Sequence, residues 1–418
     1  MKNAKYIALI ASGLILTFGC KKSLNSSVDL TKGAKAGFVT NAGWQTPTIW
    51  GRITRFDIGS GNGSDCLLAY DCWSDQVSLT QVTGANSTTI MMSYSGFNLV
   101  GGGNVPTNDW WSDVTDQFAE FGGCHVIPLD VNKTGHEDHI LVYFPGRGWW
   151  WLLSYAGNGL WNNEGSGMSG IGGYDLAGGT FTDKIVAYDY GDGYKDALIC
   201  YRPGNQFFWV LVNENAGATS SSNHANWVAV VKSSGGVGGY DLKGMYDQIV
   251  PVSINSPGNM DIVCYRPGLS FVWWETHSAY STGWSTVYST RSGLANNSFN
   301  ELGDRMTPVN ISSSGTPGYN ADVYTMGWRP GDGIFYVDNY QYVPAYGFVE
   351  GWEPSGGLNY PMTHNPYSPS VTYEGDHILT FSPNGQGNSS ILFYSNGTGA
   401  PSQIYEWNPG SETYTQVY

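Results

Sequence analysis

Apolar positions fall in short runs of four to six residues, split by polar, glycine-rich stretches, with no helical period. Six segments begin in one register: GRITRFDIGSGNGSD at Gly51, CHVIPLDVNKTGHED at Cys124, DKIVAYDYGDGYKD at Asp183, DQIVPVSINSPGNMD at Asp247, DRMTPVNISSSG at Asp304 and DHILTFSPNGQGNSS at Asp376. Each pairs an apolar strand with a polar loop, and a second apolar strand follows, ending at Tyr70, Tyr143, Tyr201, Tyr265, Trp328 or Tyr394. The pattern predicts six β-hairpins. FPG or RPG then follows at 144–146, 202–204, 266–268 and 329–331, ahead of aromatic runs such as WWWLL, FFWVLV and FVWW. Proline presets φ for a turn, so each unit continues into a third strand.

Successive starts lie about 60 residues apart, a length that suits a four-stranded sheet with its loops, and such units stack radially as propeller blades. The expectation is an all-β fold, a single β-propeller of six blades, with units 51–123, 124–182, 183–246, 247–303, 304–375 and 376–418. Seven blades is the alternative, because the long first and fifth units have room for a degenerate one. The last unit is short, so residues 21–50 are expected to complete its sheet and cover a bare edge.

The spacing D-x-N-x-T-G-x-x-D at Asp130 to Asp138, followed by ILVY, resembles the FG-GAP and VCBS repeats of integrin-type propellers. GIGGYDL at 170–176, GVGGYDL at 236–242 and the YRPG turns are similar to a secreted bacterial and fungal subgroup of them. The resemblance implies an extracellular binding or interaction role and no single enzymatic activity. Integrin-type loops hold Ca²⁺ through converging oxygens. Candidate ligands are therefore Asp130, Asn132, Thr134 and Asp138 in the second unit and Asp189, Asp192 and Asp196 in the third. Asx turns without metal are the competing reading, so no cofactor is required and calcium is optional. His136 and His139 lie three apart in a hairpin, which does not suit the helical HExxH zinc pattern.

Residues 1–20, MKNAKYIALIASGLILTFGC, carry a basic start, an apolar run and a small residue before Cys20. They read as a signal peptide resembling a bacterial lipoprotein leader, with Cys20 as the lipidated residue. The expected location is the cell envelope, at the outer membrane or cell surface, with plain secretion as the alternative. With 19 basic against 34 acidic residues and a net charge of -15, nucleic acid is excluded as a partner and membrane contact is confined to the anchor. A monomer is expected. Setting Cys20 aside leaves five cysteines, an odd number that gives no complete disulfide framework.

Asp183, Asp247 and Asp304 open their units, and Arg202, Arg266 and Arg329 follow the second strands. Antiparallel pairing puts each Asp beside its Arg, which points to structural ion pairs, with a ring of ligand-binding arginines as the competing reading. The first strands read as apolar, Arg55 being the one charge inside them, so a packed central channel is expected. No G-x-S-x-G motif or repeated histidine partner is present, which disfavours nucleophilic hydrolysis. Trp149, Trp150, Trp151, Trp273 and Trp274 are candidate sugar-stacking platforms, although alternation turns at least one per run into the core. The leading expectation is an anchored propeller that binds a glycan or protein ligand. A glycan-degrading hydrolase lipoprotein and a structural envelope component are the alternatives.

Overall fold

The computed structural model describes residues 51–58, 65–72, 74–83, 86–108, 123–178, 182–218, 224–252, 261–294, 298–309, 324–329, 334–340, 352–354, 376–381, 390–395, 403–408 and 413–416. The chain divides into Met1–Phe38 and Val39–Tyr418, and all described residues belong to the second unit. The leader, Cys20 and residues 21–50 lie outside the described residues.

Strand follows strand in antiparallel four-membered sheets. The first sheet holds β1 (Gly51–Asp57), β2 (Asp65–Asp71), β3 (Val77–Thr83) and β4 (Asn86–Ser93). A small ribbon, β5 (Phe97–Asn98) and β6 (Asn104–Val105), precedes the second sheet, β7 (His125–Leu129), β8 (His139–Phe144), β9 (Trp149–Gly157) and β10 (Leu160–Gly167). The third has β11 (Lys184–Tyr188), β12 (Ala197–Arg202), β13 (Phe207–Asn213) and β14 (Trp227–Ser233). The fourth has β15 (Gln248–Val252), β16 (Asp261–Arg266), β17 (Phe271–Thr276) and β18 (Ser285–Thr290). Next come β19 (Arg305–Val309), β20 (Tyr324–Arg329), β21 (Ile334–Tyr340) and β22 (Trp352–Pro354). The final sheet has β23 (Asp376–Phe381), β24 (Ser390–Ser395), β25 (Gln403–Asn408) and β26 (Thr413–Gln416).

The first strands lie side by side in a closed cycle, β1 beside β7, β7 beside β11, and so on to β23 beside β1. This is the radial arrangement of a β-propeller. The expected fold needs correction in how it is completed and closed. The last sheet takes all four strands from residues 376–416, so no N-terminal segment is needed to finish it. The short connections from β24 to β25 and from β25 to β26 let a brief segment hold a full sheet. Among the described residues the long first unit holds no further blade: part of its extra length forms the β5–β6 ribbon, with Leu99 bridged to Trp161 of the next sheet.

Each first strand is the inner edge of its sheet, so its axis-facing N–H groups find no ladder partner. The tyrosine that ends the previous blade's second strand supplies one. The N–H groups of Val126, Ile185, Ile249 and Met306 donate to the hydroxyls of Tyr70, Tyr143, Tyr201 and Tyr265 at 3.2, 3.0, 3.1 and 3.1 Å. Ile53 N–H donates to Tyr394 at 3.4 Å and closes the ring from last blade to first. Trp328 holds the equivalent place in the fifth blade and donates its indole N–H to Thr307 Oγ1 at 3.2 Å instead. Burial pushes the Tyr394 phenol up to about 12, so it stays neutral and able to accept. Tyr201→Phe is expected to cost about 1–3 kcal/mol in urea unfolding, because it strands a buried N–H. An unchanged midpoint would mean that the blades hold together by packing alone.

The second strands β8 and β12, HILVYF and ALICYR, are buried along their whole length, because both faces pack against neighbouring blades. Cys200 and Cys264 sit on such strands, wholly buried in the apolar clusters between blades.

Candidate inter-blade binding seams

Alternation along the third strands decides where each tryptophan goes. Trp150 is 7% exposed and donates its indole N–H to Gly170 O at 2.7 Å; Trp274 is 0% exposed. Both are core residues. Trp149, at 36%, is exposed, and its ring lies 6.5 Å from Trp151 and 6.1 Å from Phe144, with the Arg147 guanidinium 5.9 Å away.

Trp151, Trp209 and Trp273 occupy one register position, the third residue of β9, β13 and β17, and all three are half-buried. They pack against the apolar clusters at three consecutive seams, between the first and second, second and third, and third and fourth blades. Trp209 was not among the sequence candidates, although aligning FFWVLV with WWWLL and FVWW would have found it.

At two seams the wall facing the tryptophan is the GxGGYDL turn of the preceding blade. Ile171 and Tyr174 exchange N–H to O bonds of 3.0 and 2.8 Å, and Val237 with Tyr240 repeats them at 2.9 and 2.8 Å. Gly170 (φ +111°) and Gly236 (φ +88°) tolerate no side chain, since a Cβ would lie 2.1 and 2.0 Å from the carbonyl oxygens of Tyr174 and Tyr240. The turns bring Tyr174 to 5.6 Å from Trp209 and Tyr240 to 6.3 Å from Trp273. Polar groups sit beside the rings: Lys232 Nζ lies 4.5 Å from the Trp209 ring centre, and Glu275 and Thr286 stand next to the Gly239 backbone at the Trp273 seam. An aromatic ring with an ammonium beside it at one seam, and one near the exposed Thr286 hydroxyl at the next, are groups that suit a polyhydroxylated ring.

Glu275 is wholly buried, and burial raises its carboxyl pKa to about 7 although Thr286 Oγ1 donates to it at 2.9 Å and Gly239 N–H at 3.1 Å. Asp130 is shifted the same way, to about 6, again chiefly by burial. A carboxyl whose folded pKa is raised stabilises the fold fully below its unfolded value of about 4, and that stability is lost as pH climbs through the folded value. The urea midpoint is therefore expected to fall between pH 5 and pH 8, and less steeply in Glu275→Gln. Equal slopes in parent and variant would remove Glu275 as the cause.

The three Asp and Arg pairs form two-pronged contacts. Arg202 Nε and Nη2 donate to Asp183 at 2.7 and 3.1 Å, Arg266 to Asp247 at 2.7 and 2.8 Å, and Arg329 to Asp304 at 2.6 and 3.1 Å. Each Arg also reaches the turn before its blade, at Asp175 O (2.5 Å), Asp241 Oδ1 (2.5 Å) and Asn300 Oδ1 (2.7 Å). The same turns shape the seams, so the ion pairs fix the wall that faces the tryptophans.

The loop carboxylates face donors of the chain itself. Asp130 Oδ1 and Oδ2 accept from Thr134 and Gly135 N–H at 2.8 Å each, and Asp138 accepts from Val131 N–H at 3.0 Å and Asn132 N–H at 3.2 Å. In the third unit Asp189 accepts from Gly191, Asp192 and Gly193 N–H, while Lys133 Nζ of the neighbouring loop sits 2.5 Å from Asp192 and 3.2 Å from Asp196. Against the desolvation of partial burial, those carboxylates hold the Lys133 ammonium above its usual pKa. The donor set is that of Asx turns bridged by an internal ammonium, and it does not fit a resident Ca²⁺. Among the described residues no group of three or more His, Cys, Asp or Glu side chains is placed to hold a metal ion. Equal melting temperatures in Ca²⁺ and in chelator are expected; a rise with Ca²⁺ would show that the loops take up the ion. His136, Glu137 and His139 diverge, to Asp57 (3.4 Å), Arg55 (2.5 Å) and Asp138 (2.6 Å).

The apolar channel expected from the first strands is corrected at one end. The residue just before each apolar run already lies in the strand, placing Arg52, His125, Lys184, Gln248, Arg305 and His377 at equivalent positions, each opposite the latch residue of its own blade. Arg52 Nη1 lies 2.8 Å from His125 Nδ1, and burial together with Arg52 and Lys184 holds that imidazole well below its usual pKa.

No family model and no curated protein matches the sequence. Among solved structures the chain is similar to a lectin of Agrocybe aegerita, described for specific recognition of non-reducing terminal N-acetylglucosamine (13% identity, 86% of this chain and 80% of that one, TM-score 0.42). It is also similar to the β-propeller domain of Cps50 (Swd1) from Myceliophteria thermophila (8%, 88% and 85%, 0.39) and to the periplasmic gluconolactonase of Pseudomonas aeruginosa (10%, 88% and 94%, 0.38). At these scores no function transfers to this chain.

Proposed function

We propose that this protein is an exported, lipid-anchored propeller that binds carbohydrate at its inter-blade seams. The observation that carries the reading is the recurrence of half-buried Trp151, Trp209 and Trp273 at one register position, against three consecutive seams. Sugar recognition needs an aromatic face that is held rigidly yet reachable, with polar groups beside it for hydroxyls. Trp209 has Lys232 beside it; Trp273 has the exposed Thr286 hydroxyl close by. Cys20 would tether the propeller to the envelope, where glycans are met.

A glycan array probed with the soluble form beginning after Cys20 tests the reading. Saturable capture of a defined set of glycans is expected, without release of reducing sugar. Silence across the array would overturn carbohydrate binding, and turnover of a captured glycan would make the protein a hydrolase. Fractionation of cells carrying Cys20→Ala tests the tether: the protein should leave the membrane fraction, and unchanged membrane association would refute the anchor.

A further inference from the structure

The first and second blades lack the Asp and Arg staple of the next three. Cys124 stands where Asp183, Asp247 and Asp304 stand, with Phe144 in place of arginine. Cys72 follows Asp71, the residue that pairs with Gly51, and so takes the place of the proline in the RPG turns. At this junction the two cysteines meet. Their sulfurs are 4.0 Å apart and Cys72 Sγ lies 3.4 Å from Cys124 O. Both side chains are buried, Cys124 fully and Cys72 to within 8%. The backbone is drawn close on the same side: at Gly123 (φ +81°) a Cβ would meet Cys72 Cβ at 2.6 Å. The remaining described cysteines, Cys66, Cys200 and Cys264, belong to the second strands β2, β12 and β16.

We propose that Cys72 and Cys124 form a disulfide that staples the first blade to the second. A side-chain rotation that brings the sulfurs about 2 Å closer makes the bond. The oxidant is a disulfide, either a small molecule or a thiol oxidase of an oxidising compartment. The Cys72 thiolate attacks one sulfur of that disulfide and expels a thiolate, giving a mixed disulfide. The Cys124 thiolate then attacks the Cys72 sulfur and expels the second thiolate. Two electrons pass to the oxidant, and the two protons lost by the cysteines end on its thiols. Arg52, whose Nη1 lies 3.4 Å from Cys124 O, favours the attacking anion. The Cys72 contact with Cys124 and the nearby Arg52 charge set the Cys72 thiol below its usual pKa, against the opposing effect of burial. The odd cysteine count is thereby resolved into one staple and three core thiols.

Peptide mapping of the full chain without reductant, after incubation with oxidised glutathione, tests the proposal. The expected map contains one cross-linked peptide joining Cys72 to Cys124, while Cys66, Cys200 and Cys264 are alkylated by maleimide in denaturant. Reductant should lower the melting temperature of the parent by about 5 °C. It should leave Cys72→Ser/Cys124→Ser unchanged. Recovery of Cys72 and Cys124 as maleimide adducts after oxidation, or a cross-link from either to another cysteine, would overturn the proposal without recourse to the variant.

Discussion

Arg202→Leu is expected to cost about 3–5 kcal/mol of folding stability, the range for breaking one partner of a buried ion pair. Asp183 is 1% exposed and Arg202 6%, so the pair is shielded from water. With the guanidinium gone, Asp183 would keep the Tyr174 hydroxyl at 2.7 Å as a donor while its charge lay uncompensated. The turn before the blade would also lose the bond from Arg202 to Asp175 O. Arg329→Leu should cost less, because 24% of that side chain is exposed against 7% for Arg202. Urea unfolding of both variants distinguishes a structural pair from a ligand-binding ring. If Arg202→Leu matched the parent within about 0.5 kcal/mol, the structural assignment would fail.

Trp274→Ala and Trp273→Ala are adjacent substitutions with opposite expected consequences. Trp274 is wholly buried, and emptying its space should cost about 3–5 kcal/mol, with glycan capture weakened only as far as folded protein is lost. Trp273 is half-buried beside Tyr240 and Gly239, so its truncation should cost roughly 1 kcal/mol of stability and remove the aromatic face at that seam. Thermal unfolding alongside glycan capture separates the two. Equal destabilisation would place both in the core and remove the seam from consideration.

The hairpins were legible because inner and second strands repeat their apolar pattern and because their loops begin at one offset from each start. The Asp and Arg placement was equally legible: strand pairing brings Lys184 opposite Tyr201, which sets Asp183 beside Arg202. What closes the ring was not. The bond from Ile53 N–H to Tyr394 spans almost the whole described chain, and no local pattern marks a phenol as the acceptor for the next blade's edge. Outer strands such as Gln403–Asn408 and Thr413–Gln416 are short and partly polar, so the last unit looked too brief for a full sheet. Loop spacing alone could not separate a cation site from an Asx turn. Aspartates spaced for a cation also satisfy Asx turns, and Lys133 arrives from another blade's loop to supply the positive charge.

Isothermal titration of the glycan captured most strongly on the array, into the parent and into Trp151→Ala/Trp209→Ala/Trp273→Ala, bears most directly on carbohydrate recognition at the seams. Half-buried side chains at three separate seams can be truncated without opening the second-strand core, so the variant should keep a cooperative melting transition. Each lost ring contact removes about 1 kcal/mol of binding, and affinity should fall at least about tenfold. A folded variant that binds the same glycan with the parent's affinity would contradict recognition at the seams.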